Sequence, residues 1–130
     1  MKPEETIQSA IISYLRLALP NAIINHAANE GNRGGKQGLI DGFKRKSMGV
    51  TSGYPDIVIH VNGITIFMEV KTQTGVLSAN QKNIKTILES QGFKYFVVRS
   101  IDDAKTSLKT IDWWQTAFQI IKKQTVGEIS

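Results

Sequence analysis

The dipeptide Asn62-Gly63 restricts the folding of this chain more than any other feature. It lies between two apolar runs, DIVIHV and ITIFMEVK, and is the strongest short-range signal for a tight β-hairpin. A two-residue turn fixes the register. Val61 pairs with Ile64, His60 with Thr65, Ile59 with Ile66, Val58 with Phe67, Ile57 with Met68, and Asp56 with Glu69. The two acids therefore face each other, with β-carbons roughly 5 Å apart. Lys71 alternates onto their face. The other face carries Ile57, Ile59, Val61, Ile64, Ile66, Met68 and Val70. It is wholly apolar and must lie under a helix.

Like charges directly opposite one another destabilise a sheet, so something must compensate. A hard divalent cation, Mg²⁺ or Mn²⁺, does so through carboxylate oxygens. Such an ion activates water for attack on phosphorus and neutralises developing charge. Lys71 would stand beside it, acidifying the water or stabilising the transition state. Pro55 biases Tyr54 towards extended geometry and starts the strand where no ladder donor is lost. The bland alternative is a surface ion pair between Asp56 and Lys71.

Upstream, Pro3, Glu4 and Glu5 suit a first helical turn. Ile7, Ala10, Ile11, Tyr14, Leu15 and Ala18 predict a helix from Pro3 to about Leu19, stopped by Pro20 and Asn21. Ala22–Ala27 reads as a short strand. Asn29–Gly53 holds seven of the eleven glycines. It also holds Arg33, Lys36, Lys44, Arg45 and Lys46, which suits substrate contact through phosphates rather than base edges. A solvated loop is the competing reading.

Ser78 and Gln81 form a capping box opening a helix that runs to Gly92. Tyr95–Ser100 reads as a buried strand. Asp102–Lys109 and Asp112–Gln124 read as helices, the latter with Trp113, Trp114, Phe118 and Ile121 on one face. The fold class is α/β: an α-β-β-β-α-β core with a mixed central sheet flanked by helices, plus C-terminal helices. The length of 130 residues suits one domain, with its core at about 4–104 and a helical addition at about 105–124.

The absence of cysteine removes disulfides and thiolate chemistry and suits a reducing cytoplasm. No apolar run approaches the roughly 18 residues of a membrane span. A net charge of +5 and a pI near 9.6 favour a polyanionic partner, nucleic acid above all.

With Pro55-Asp56 and Glu69-Val70-Lys71, the sequence resembles the PD-(D/E)xK nuclease superfamily. More narrowly it resembles the virus-type replication-repair nuclease (VRR-NUC) domain, through NEG at Asn29–Gly31, GYPD at Gly53–Asp56, MEVK at Met68–Lys71, LSANQ at Leu77–Gln81 and GFKYFVVRS at Gly92–Ser100. The resemblance spans roughly Glu4 to Ala104. It implies a restriction-endonuclease-like core and a Mg²⁺- or Mn²⁺-dependent DNA endonuclease. Asp56, Glu69 and the Val70 carbonyl would be metal ligands, and Lys71 the catalytic lysine. Gln81 would touch the site or its waters, and a helix-one acid, Glu5 ahead of Glu4, would complete the outer shell. Compact stand-alone members are similar to dimeric Holliday-junction resolvases, and small members are frequently phage-encoded or bacterial. The implied setting is the cytoplasm of a bacterial or phage-infected cell, with branched DNA as substrate, a homodimer as the assembly and room for a helicase or replication partner.

Several residues carry two readings. Gln81 closes the capping box or serves the site. Glu4 and Glu5 are dipole partners or outer-shell acids. Glu30 is a turn residue or an outer-shell acid. His26 and His60 read as structural or solvent-facing. Arg99 touches DNA or anchors a strand end, and Trp113 and Trp114 serve core, dimer interface or DNA. Function keeps alternatives too: a flap-type repair nuclease, or a basic DNA-binding module that needs a partner for cleavage. A sequence-specific restriction-type enzyme ranks below these, since little length remains for a recognition element.

Overall fold

Residues 2–27, 49 and 51–113 are described in the computed structural model. The element order is α1 (Pro3–Ala18), β1 (Ile23–His26), β2 (Ile57–Val61), β3 (Ile64–Val70), α2 (Ala79–Ser90), β4 (Lys94–Val98) and α3 (Ile101–Lys109). One mixed sheet has the strand order β1-β2-β3-β4, antiparallel at the first two pairings and parallel at β3–β4. The Asp102 helix starts one residue earlier than the sequence suggests. The Tyr95 strand is shorter at its end and lies at a sheet edge, only partly buried.

The hairpin register is the one the turn dictates, from Val61↔Ile64 to Ile57↔Met68. Asn62 and Gly63 both take positive φ, 49° and 78°, which gives a turn whose twist matches its strands. Ser78 Oγ accepts the Gln81 N–H at 3.2 Å and Gln81 Oε1 accepts the Ser78 N–H at 2.9 Å, so α2 opens on a capping box. It closes on Gly92, at φ 88°, where the Gly92 N–H reaches Glu89 O at 3.0 Å and the Phe93 N–H reaches Leu88 O at 3.1 Å. That pair of bonds is a Schellman closure, which sends the chain back alongside β3 as β4.

Each face of the sheet is covered. On one, Ile57, Ile59, Val61, Ile66, Met68, Val70 and Val98 pack against Ile11 and Leu15 of α1 and Ala104 and Leu108 of α3. This is the cover the apolar hairpin face requires. The opposite face, which carries Asp56, Glu69 and Lys71 at one end, is covered as well. Val58, Phe67 and Tyr95 are buried there, with Tyr54, Leu88 and Val97 around them. Tyr54 and Phe93 meet the Phe67 ring edge-on, with centroids 5.8 Å and 5.6 Å away. The acids thus sit at the end of a largely apolar, α2-covered face, which lowers the local dielectric around them.

Candidate active site

Asp56 stands one residue before β2, where the ladder with β3 has ended at Ile57↔Met68. Its side chain takes over from the ladder: Oδ2 accepts the Val70 N–H at 2.8 Å. The Asp56 carbonyl accepts the Ala27 N–H, also at 2.8 Å, tying this end of β2 to β1. A strand residue points its N–H and C=O to the same neighbour. The Val70 carbonyl therefore lies on the Asp56 side of β3.

Glu69 is 1% exposed and is the one buried carboxylate among the described residues. Gln81 Nε2 donates to its Oε1 at 3.3 Å. Gln81 makes both contacts at once: its carbonyl oxygen closes the α2 cap while its amide nitrogen holds Glu69. Burial first, then the hydrogen bond and charge of Asp56, push the Glu69 carboxyl up to about 9; Lys71 pulls it down and Glu4 adds a smaller push up. Without a cation, Glu69 therefore keeps its proton at neutral pH. A charged carboxylate in such a place costs several kcal/mol unless a positive charge answers it.

The two helix-one acids have different surroundings. The Glu5 carboxylate accepts the Lys2 N–H at 3.2 Å, closing the start of α1. Glu4 is the acid whose charge bears on Glu69. Neighbouring helical residues point about 100° apart, and the packing of α1 on the sheet decides which of them looks towards the site. Lys71 is half-buried directly after β3, its N–H bonded to Val98 O at 3.0 Å.

Two features escaped the sequence reading. Gly53, at φ 82°, touches the opening of α2 so closely that a Cβ there would lie 2.7 Å from Asn80 C and 2.9 Å from Gln81 N. Beside it, Asn80 Nδ2 donates to Ser52 Oγ at 2.9 Å. These contacts bind the Asp56 loop to the helix that carries Gln81. The only signal available was the glycine itself, one residue before Tyr54-Pro55.

The second is the Tyr95 hydroxyl, buried with no hydrogen-bond partner among the described residues. Burial foremost, then the charges of Glu69, Asp56 and Glu89, raise its phenol above the ordinary range. Tyr95→Phe removes an unpaired buried hydroxyl, and is expected to leave stability unchanged or raise it by up to about 1 kcal/mol in urea unfolding. A loss of about 2 kcal/mol would show that the hydroxyl has a partner in solution.

The other candidates fall elsewhere. His60 Nδ1 lies 3.0 Å from Thr65 Oγ1 on the exposed hairpin, and His26 Nδ1 contacts Gln8 Nε2. Trp113 packs near the Leu108 end of α3, its Nε1 donating to Leu108 O at 3.0 Å. Arg33, Lys36, Lys44, Arg45 and Lys46 lie outside the described residues, as do Glu30 and Trp114.

Among the described residues no three His, Asp or Glu side chains converge as a metal cluster. The donor set that fits a hard cation is the pair of carboxylates with the Val70 carbonyl. The buried, proton-retaining Glu69 is the feature that a cation would relieve. No helix of the described residues is long and apolar enough to cross a membrane.

Comparison with known proteins bears on the fold and the family. Two solved structures share the fold, one called a VRR_NUC domain protein and the other a VRR_NUC domain. The first is 19% identical with a TM-score of 0.62, covering 85% of this chain and 88% of that one. The second is 18% identical with a TM-score of 0.59, covering 84% of this chain and 97% of that one. No curated protein matches the chain. The family model for the VRR-NUC domain matches residues 3–102, and the chain belongs to that family of nuclease domains.

Proposed function

We propose that this chain, acting as one nuclease domain, is a Mg²⁺- or Mn²⁺-dependent, structure-selective endodeoxyribonuclease. One observation carries the reading: a buried carboxylate, Glu69, meets a second, Asp56, beside Lys71 at the end of an apolar face. A surface ion pair needs no such burial, and a module that only binds DNA gains nothing from two opposed acids.

In this reading Asp56, Glu69 and the Val70 carbonyl hold the cation, with Glu4 as the outer acid in place of Glu5. The bound ion supplies charge to the phosphate and acidity to a water. Asp56 stays oriented by the Val70 N–H, and Glu69 by the Gln81 amide. Lys71 brings its ammonium to the phosphoryl oxygens as negative charge builds there. The basic residues Arg33, Lys36, Lys44, Arg45 and Lys46 hold the backbone without reading bases.

The substrate is branched DNA, and a Holliday-junction-resolvase-like homodimer would present two sites to a symmetric junction. A bacterial or phage-infected cytoplasm, a repair role and a helicase or replication partner complete the reading.

The test puts the wild type and Glu69→Ala on a labelled four-way junction, a 5′ flap, a splayed arm and a plain duplex. Each is incubated with Mg²⁺, Mn²⁺ or EDTA. Cutting of a branched DNA by the wild type alone, and only with metal, is the expected result. Binding without cutting in every arm would overturn the reading in favour of a module that needs a partner.

A further inference from the structure

We propose that Arg99 is a positioning residue for Lys71, holding the turn on which the lysine stem rests. This rests on the reading of Lys71 as part of the cleavage site. Lys71 is the first residue past β3, and the chain turns back at once, the Gly75 N–H reaching Thr72 O at 3.2 Å. The lysine stem lies over this turn. A Cβ at Gly75 would stand 3.5 Å from Lys71 Cδ, an ordinary contact, and 3.2 Å from Thr72 Oγ1, so the stem lies against the turn at Gly75.

Arg99, one residue past β4, ties the turn down. Its Nη1 donates to the Thr72 carbonyl and, at 2.7 Å, to the Gly75 carbonyl. The arginine is itself held in place. Its N–H donates to Asp103 Oδ2 at 2.8 Å, and the Asp103 N–H donates to Ser100 Oγ at 3.1 Å, the cap of α3. A continuous set of contacts thus runs from the start of α3 through Arg99 to the turn and the Lys71 stem. One guanidinium nitrogen serving two chain carbonyls suits a clasp rather than a DNA phosphate contact. Arginine fits because its fork of donors is rigid, whereas a lysine there would reach the carbonyls as a single flexible point charge.

A misplacement on the order of 1 Å in a reacting group costs up to about 100-fold in rate. The experiment measures Mg²⁺-dependent cutting of a labelled branched DNA by the wild type, Arg99→Ala, Arg99→Lys, Gly75→Ala and Lys71→Ala. It follows kcat and KM across pH, and the salt dependence of DNA binding. Arg99→Ala should lower kcat about 10- to 100-fold and shift the pH profile, with KM and the salt slope unchanged. Arg99→Lys should recover part of the loss. Gly75→Ala, which keeps Arg99 and presses on Thr72 Oγ1 within the turn, should give a smaller loss of the same kind, and these two variants carry the test if Arg99→Ala does not fold.

Arg99 and Gly75 variants with wild-type kcat and pH profile, beside an inactive Lys71→Ala, would overturn the positioning role alone. So would weakened DNA binding with a shallower salt slope, which marks a phosphate contact. A Lys71→Ala variant that cuts like the wild type would overturn the site reading itself, and the clasp's purpose with it.

Discussion

Glu69→Gln is expected to reduce metal-dependent cleavage by about 10³-fold or more, equivalent to roughly 4 kcal/mol of transition-state stabilisation. The amide keeps the shape and the reach to Gln81 but cannot supply an anionic oxygen. The same substitution has a second effect, on stability, that is independent of DNA. The folded-state carboxyl of Glu69 is raised from 4.5 to about 9. Between those values the folded chain holds a proton that the unfolded chain has released. The contribution of Glu69 is therefore fully present below about pH 4.5 and is lost as pH rises towards about 9.

Metal-free wild type should lose on the order of 1–3 kcal/mol between pH 5 and pH 8 through this group, and Glu69→Gln should not. Mn²⁺ should offset the loss, raising stability more at pH 8 than at pH 5, because it binds the deprotonated form. Urea unfolding of both proteins, with and without Mn²⁺, reads all of this. Equal pH slopes for the two metal-free proteins would show that Glu69 is ionised in the apo fold.

Gly53→Ala is expected to destabilise the fold by on the order of 2–4 kcal/mol, combining a strained positive φ with forced overpacking. The added methyl would meet backbone rather than a yielding side chain, at 2.7 Å from Asn80 C and 2.8 Å from Asn80 O. Gly92→Ala is the matched control. Its φ of 88° is similar, but nothing lies within 4 Å, so only the conformational cost of about 1–2 kcal/mol remains. The difference between the two variants measures the contact. At a temperature where both are folded, Gly53→Ala should also cut DNA more slowly, because the Asp56 loop is pushed away from the helix bearing Gln81. Equal stability losses would mean that the loop simply moves aside.

Much of the fold could be read in advance because local chemistry agreed with the final packing. Asn62-Gly63 needs a particular turn, the turn fixes a register, and the register brings Asp56 to Glu69. Ser78, Gln81 and Gly92 likewise mark α2 by the caps they form. What could not be read depended on how separate elements meet. Which helix-one acid bears on Glu69 depends on the rotation of α1 on the sheet, which periodicity leaves open by one residue. The closeness of Gly53 to α2 joins positions 28 apart in sequence. Val58 and Phe67 did hint that the acidic face is also covered, since both are apolar on that side of the hairpin.

The hairpin and the opening of α2 hold the reactive groups in one short stretch of chain. Asp56, Glu69, Val70, Lys71 and Gln81 all fall within 26 consecutive residues, joined by a two-residue turn and one capped helix. Closing such short loops costs little chain entropy, and contacts between near neighbours form early. The polar end of the sheet can therefore be assembled by the same contacts that start the fold. Damage on the core-facing sides of α1 and α3, away from Glu4 and Asp103, then shows chiefly as a shorter-lived native state.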